Sequence, residues 1–463
     1  MSVANDMNGL SRPLAAWCAD YDRCFPASSM ERAHTAITDV VGCLLGGRDD
    51  VAVVNAGRFL RAAESAGRAG VITQQATVGA PWAALVNGCA AHALDFDDNF
   101  FPPVTHASAS LVPALFALAE ETGADAAAIV HAYIVGLEVE AQIGKRMNPS
   151  HYASGWHATS TIGAIGVAAA CAVLLRLSEK GVLHAISIGS SLAGGSKRQF
   201  GSMVKPMHAG FAAMHGVLAA RLAASGITGV EEMLQGKWSL SELYAGGTQD
   251  GDSAASLFPH APLAIDEYGL VAKLYPSCMS SHLGIDALLG LSREHAFDIK
   301  DIAAIDLYMP AFMIANLRYR QPESGAQARF SMNYCAALTL VEGVPRMAHF
   351  SEEFVARMPV AMRQLLPLVQ MQERQASAQA AALPWGGDCQ ARITFADGRV
   401  LEQVSMYPKG CAQNPLSEPE QREKFLDCAH GKPMGIGAEA LFGMLKDFSR
   451  VHALEEIFLA LRG

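Results

Sequence analysis

The chain has 463 residues, 51% of them hydrophobic and 17% charged, with a formal net charge of -10. That length and apolar content describe a folded protein with more than one sizeable core and exclude a disordered chain. The negative balance excludes a surface built for nucleic acid or an anionic membrane, although a pocket can still be locally basic. Ten cysteines are scattered without a CxxC pair, which excludes the usual zinc spacings and points to reduced thiols in a cytoplasmic protein.

The first residues, Met1 to Trp17, lack the basic-then-apolar pattern of an export signal. From 28 to 265 the sequence reads as one helix after another, among them "ERAHTAITDVVGCLLGG", "ADAAAIVHAYIVGLEVEAQIG" and "HAGFAAMHGVLAARLAASG". Their apolar residues recur at three- and four-residue spacing, and glycines punctuate their ends. The longest apolar run, 162–175, is shorter than the roughly 20 residues of a membrane span and reads as a core helix. After 266 the pattern changes. "IAAIDLYM" (302–309) alternates like a strand, and "CQARITFADGRVLEQVSMY" (389–407) reads as a hairpin turning at Asp397-Gly398. Helical spacing returns after Pro408. The expected protein is therefore mainly α: a large all-helical domain (1–266), an inserted smaller α+β lid domain (267–410), and C-terminal helices (411–463) that pack back on the first domain. Where two domains meet is the favoured place for a small-molecule pocket.

The chemistry concentrates in a few segments. "HALDFDDN" (92–99) ends an Ala/Leu-rich helix in acid. If 83–98 is helical, His92, Asp95 and Asn99 share a face with Asp98 beside them, and Asp97 points elsewhere. Acids at a helix C-terminus oppose the macrodipole, so their presence suggests function. A metal site is one reading, since the segment is similar to the Asp-rich Mg²⁺ motif of helical isoprenoid synthases. Its spacing is DxDD rather than DDxxD, however, and no second Asp-rich segment exists, so no metal is expected.

Downstream, His106 precedes a helix whose N-cap would be Ser108 or Ser110, and His157 opens the apolar helix 158–175. Lys205 stands before Pro206 at an expected helix N1, with His208 and His215 on one stripe of that helix. Lys273 and Cys278 flank a turn at Pro276. Each of these residues alone reads as structural. Four cation-capable residues at helix entrances together describe a pocket for a substrate with several carboxylates. "GIGAEA" (435–440) lacks the strand a dinucleotide fingerprint requires, and there is no P-loop, GxSxG or HExxH. No cofactor is expected.

In combination, "LVNGCAAHALDFDD", "GWHATSTIG", "MVKPMHAG", "KLYPSC" and "ARFSMNYCAALTLVEG" resemble the MmgE/PrpD family, in order, over roughly residues 30–410. The resemblance implies a helical domain with a lid, a homodimer, and cofactor-independent lyase or isomerase chemistry on a small polycarboxylate. It matches Asp95, His106, His157, Lys205 and Lys273 to pocket residues of the family's decarboxylases, with Asn99, His208 and Cys278 as substrate-binding positions. Asn99 stands where those decarboxylases have threonine, and Cys278 where they have histidine. "YPSC" is more similar to the dehydratase and epimerase branches. A hydro-lyase of the 2-methylcitrate dehydratase type is the first expectation. An epimerase of a dicarboxylate such as iminodisuccinate comes second, a cis-aconitate-type decarboxylase third, and a metabolite-binding protein without activity is the non-enzymatic alternative.

Overall fold

A computed structural model describes residues 9–62, 66–245, 262–451 and 454–462. Residues 1–8, 63–65 and 246–261 of the expected first domain, and 452–453 and 463 of the expected C-terminal helices, lie outside the described residues. The protein is mainly α with small sheets. Its principal helices are α1 (Ala27–Gly47), α2 (Ala80–His92), α3 (Ala107–Thr122), α4 (Ala126–Met147), α5 (Ala158–Leu174), α6 (Val204–Ala224), α7 (Met279–Glu294), α8 (Met332–Glu342) and α9 (Glu418–Ala429). The strands β1 (Ile302–Met309), β2 (Val369–Glu373), β3 (Cys389–Phe395) and β4 (Val400–Ser405) form one sheet in the order β2-β1-β3-β4.

Helix α5 is apolar all round, and all 17 of its residues are buried, because α3, α4 and α6 pack against it. Helix α4 is long and apolar enough to cross a membrane by length and composition, but 83% of its most apolar window is buried inside the protein. Its hydrophobicity is used by the core. Helices α2 and α6 touch backbone to backbone: a Cβ on Gly88 would meet Gly210 Cα at 2.9 Å, and one on Gly210 would meet Leu85 O at 2.2 Å. This close crossing brings the acidic end of α2 beside the Lys205 entrance of α6.

In the sheet, β1 and β2 are parallel while β1–β3 and β3–β4 are antiparallel. The alternation expected for the strands is present, with Cys389, Ala391, Ile393 and Phe395 facing inward along β3. The expected hairpin turns at Asp397-Gly398, where Gly398 adopts φ 87° and Phe395 N donates to Arg399 O at 2.9 Å. A left-handed residue closing a short loop is the reason for the glycine.

Buried apolar side chains form two main clusters. One draws on residues 10–265 and again on 425–461; the other draws on 271–411 with Phe101 and Phe200. The expectation of an all-helical first part needs correction. A short hairpin, Ala69–Val71 with Gln74–Val78, lies within it, and Asn99–Phe100 forms a two-residue ladder with Leu270–Val271. That small ladder ties the loop after α2 to the segment carrying Lys273.

The Gly88–Gly210 contact gives a stability prediction. Gly210→Val should destabilise the protein by about 2 kcal/mol or more, since the intruding side chain meets backbone rather than a movable side chain. Urea unfolding checks this; an unchanged midpoint would refute the crossing.

Candidate active site

The acidic end of α2 does not continue as helix. The helix stops at His92, and Asp95 N donates to His92 O at 3.1 Å while Asp95 takes the left-handed φ of 51°. A non-glycine residue there is strained by about 1–3 kcal/mol, although aspartate tolerates it better than most. The expected sharing of a helical face by His92, Asp95 and Asn99 is therefore corrected: a tight turn, not helical spacing, brings them together.

Asp95 is buried and meets two lysines. Lys273, which is 0% exposed, donates to the Asp95 carboxylate and, at 2.8 Å, to its backbone O. Lys205 Nζ lies 3.1 Å from Asp95 Oδ2 but is not aligned for a hydrogen bond. Its N–H groups thus remain available to a ligand. Burial pushes the Asp95 carboxyl up, yet Lys205 and Lys273 outweigh it and hold the group well below the usual carboxylate range. Burial also pulls the Lys205 pKa down, against Asp95.

Asp97 is corrected too, because it points into the cluster. Both of its carboxylate oxygens lie 2.9 Å from His92 Nδ1, and Oδ2 lies 3.1 Å from His106 Nδ1. Burial raises the Asp97 carboxyl, but the two imidazoles beside it hold it low. His106 reaches toward Asp95 with Nε2 at 3.8 Å. Burial pushes His106 down to about 3 despite Asp97, so its imidazole is neutral at neutral pH. Asp98 faces away from the cleft residues and braces the start of α3. It accepts from Ser108 N at 3.4 Å and from the Ser108 hydroxyl, which also meets Tyr133 OH at 2.7 Å; burial raises its carboxyl to about 7.

Three helices enter the site by their N-termini. His106 caps α3, His157 caps α5 and Cys278 caps α7, none through its side chain. Neither Ser108 nor Ser110 is the N-cap, and α6 begins at Val204, ahead of Pro206. Positive helix ends favour anions in the space between them. His157 Nδ1 lies 2.8 Å from His208 Nδ1, a contact that requires one ring to donate and the other to accept. Burial lowers both groups, His208 to about 4, and their mutual repulsion adds to this at His157.

The cleft is lined by Asp95, Asn99, His106, His157, Lys205 and Cys278, with Phe101, Phe200, Phe330 and Trp385 as an apolar wall. Lys273 sits beneath it and acts through Asp95. His208 does not line it; it holds His157, which corrects its expected place as a substrate contact. Among the described residues, Asn99 Oδ1 is buried without a hydrogen-bond donor. Three further residues at the site were given no site role by the sequence. His92 and Asp97 were visible in "HALDFDD", but their pairing depends on the turn. Tyr152 also lines the cleft, and nothing in its local sequence marks it.

Potential metal ligands do converge. Atoms of His92, His106 and His157, and of His92, Asp95, Asp97 and His106, lie within 4.8 Å of one another. Asp95 already meets two ammonium groups, however, and Asp97 faces two imidazoles. A divalent ion would displace those partners and sit beside two lysines, so the donor set suits protons and hydrogen bonds better than a metal.

A helical protein with buried lysines, neutral histidines and one left-handed aspartate around a cleft defines the class of site. The chain belongs to the MmgE/PrpD family: residues 12–251 match the family's N-terminal domain and 275–433 its C-terminal domain. It is similar to the cis-aconitate decarboxylase of Mus musculus, 30% identical over 362 residues covering 74% of this chain and 70% of that protein. The cis-aconitate decarboxylase of Homo sapiens is 28% identical over 398 residues, 82% of this chain and 79% of the relative. That of Aspergillus terreus is 24% identical over 493 residues, 99% and 94% of the two chains.

The titrations set a pH dependence. His106 titrates near 6.5 when unfolded and about 3 when folded, so the unfolded chain binds the extra proton and stability falls as pH drops between those values. Asp95, held low, adds stability that is present above 3.8 and lost as pH falls further. His106→Asn should flatten the urea midpoint against pH between 6 and 4, by at most about 1.4 kcal/mol per pH unit. An equally steep profile would show that His106 is not the buried neutral group described.

Proposed function

We propose that the protein is a metal-independent lyase acting on a small di- or tricarboxylate, with loss of water as the first reading. Asn99 Oδ1 carries that reading: a buried acceptor without a donor, beside Asp95 and Lys205, suits a substrate hydroxyl. A hydroxy acid supplies that donor, and an unsaturated acid without a hydroxyl does not. Loss of CO₂ is the second reading, favoured by the cis-aconitate decarboxylases among the relatives and by the aromatic wall, which suits a neutral departing molecule. Epimerisation would share the first proton transfer and keep the hydroxyl or amine; no observation favours it over elimination.

The chemistry follows from the groups present. Removing a proton, water or CO₂ next to a carboxylate places extra negative charge on that carboxylate. Lys205 and the N-termini of α3 and α5 stabilise such charge in a water-poor cleft. His157 is the base in this reading. Its Nδ1 is held by His208, which leaves Nε2 for a substrate proton. Burial keeps the imidazole unprotonated, and bound carboxylates raise its basicity, so the base strengthens when substrate arrives. Residues 267–410 are read as a lid, and a homodimer belongs to the same proposal; a monomer in sedimentation at micromolar concentration would remove the dimer.

Proton NMR in D₂O across 2-methylcitrate, citrate, cis-aconitate and iminodisuccinate tests the reaction. Double-bond formation from a hydroxy acid supports the first reading, CO₂ release the second, and inversion with deuterium uptake an epimerase. Inertness with a thermal shift would leave a metabolite-binding protein. His157→Ala should abolish turnover, and Lys205→Ala should lower kcat/KM by about 10²-fold or more. Full activity in either variant would move the site elsewhere. Asn99→Leu should cost a hydroxy acid about tenfold in kcat/KM, by the value of one buried hydrogen bond, and leave an acid without a hydroxyl unaffected. Activity should survive exhaustive chelation; loss in EDTA with recovery on adding Mg²⁺ would overturn metal independence.

A further inference from the structure

The Asp95–Lys205 pair has a second open side. A separate cleft of about 510 Å³ meets it from behind, between the start of α6 and the segments around 326–330 and 347–352. Lys205, Asp95 and Phe330 line both clefts. The new element in the second one is Arg329.

Arg329 is 7% exposed, and its Nε has no hydrogen-bond partner among the described residues. Among the described residues no carboxylate reaches it at ion-pair distance; Asp50, Asp95 and Glu352 act on it only from further away. Its backbone is fixed at both ends: Arg329 N donates to Gly325 O at 3.2 Å, and Arg329 O accepts from Cys278 N at 2.9 Å. An arginine cannot lose its proton to escape burial, as a lysine or histidine can. A buried guanidinium without a counter-charge is costly, and the fold has kept one at the edge of an open cleft.

We propose that the second cleft binds a carboxylate, which Arg329 grips through its guanidinium fork beside the Lys205 ammonium. A planar single-charged group matches one fork in two parallel hydrogen bonds. The outer wall disfavours a dianion such as phosphate, because Asp49, Asp50, Glu352 and Asp427 line it and Lys432 is already paired with Asp49 at 2.7 Å. The carboxylate has two sources: the far end of a molecule reacting at Asp95, or a second, separate molecule. The first source rests on the reaction proposed above, and the second does not.

Calorimetric titration of tricarballylate, acetate and inorganic phosphate into the wild type, Arg329→Met, Arg329→Lys and Lys205→Met separates these cases. Tricarballylate has no hydroxyl or double bond to react. Arg329→Met should weaken its binding about tenfold or more, the value of a charged hydrogen-bonded pair. One molecule per chain identifies the bridging source, and two per chain, one of them lost in the variant, identify the separate source. Without ligand, Arg329→Met should melt higher than the wild type, because an uncompensated charge has gone. If that variant does not fold, Arg329→Lys decides, since it keeps the charge and loses the fork, and it should bind several-fold more weakly.

Unchanged tricarballylate affinity and stoichiometry in the folded arginine variants would overturn the proposal, as would tighter Arg329-dependent binding of phosphate than of acetate. Weakening by Lys205→Met alone would sink the Arg329 site and leave the reaction site standing. No tricarballylate binding, together with Arg329-dependent acetate binding, would do the reverse. Failure of the wild type to bind any of the three anions would overturn both.

Discussion

The site depends on a single buried carboxylate. Asp95 is held in a left-handed turn by Lys273, which binds both its side chain and its backbone oxygen, and Lys205 approaches its other oxygen. Two ammonium groups could not be buried so close together without that carboxylate between them, and the carboxylate could not stay ionised without them. Neither half is stable alone. Because the three residues come from three distant parts of the chain, the interaction also fixes how those parts meet.

Around this ion cluster the histidines play a different part. Burial keeps His92, His106, His157 and His208 unprotonated, so they add hydrogen-bonding capacity without adding to the positive charge already present. The division of labour is electrostatic. The lysines carry charge for a substrate carboxylate, while the imidazoles carry lone pairs for a proton. Asp97 and His208 orient the rings, as an acid orients the imidazole in other proton-transfer sites.

The fold contributes positioning through contacts that involve no charge. The glycine crossing of α2 and α6 sets Lys205 beside the end of α2, and the ladder Asn99–Phe100 with Leu270–Val271 delivers Lys273 from the second core. Strain accompanies this: besides Asp95, the β-branched Val104 holds φ 59° in the loop that lines the cleft. Such residues persist only where the surroundings over-determine them. Both lie on the short stretch between α2 and α3, which carries much of the site.

Much was legible in the sequence because it is local. Helical spacing, the Asp397-Gly398 turn and the alternation of β3 follow from steric preferences a few residues long, and the ordered motifs identified the family and the residues Asp95, His106, His157, Lys205 and Lys273 as one group. The sequence also marked His106 and His157 as helix entrances, since a polar residue before an apolar run is a local signal. Tertiary structure alone decided the rest. That Asp97 turns inward, that His208 backs His157 and does not face the cleft, and that Arg329 is buried along the same second cleft as Lys205 with its Nε unpartnered among the described residues all depend on how separate segments meet. A turn of one residue into the left-handed region redirected every side chain after His92, and no periodicity anticipates that. Periodicity describes the chain's own geometry, whereas burial and pairing energies belong to the assembled neighbours.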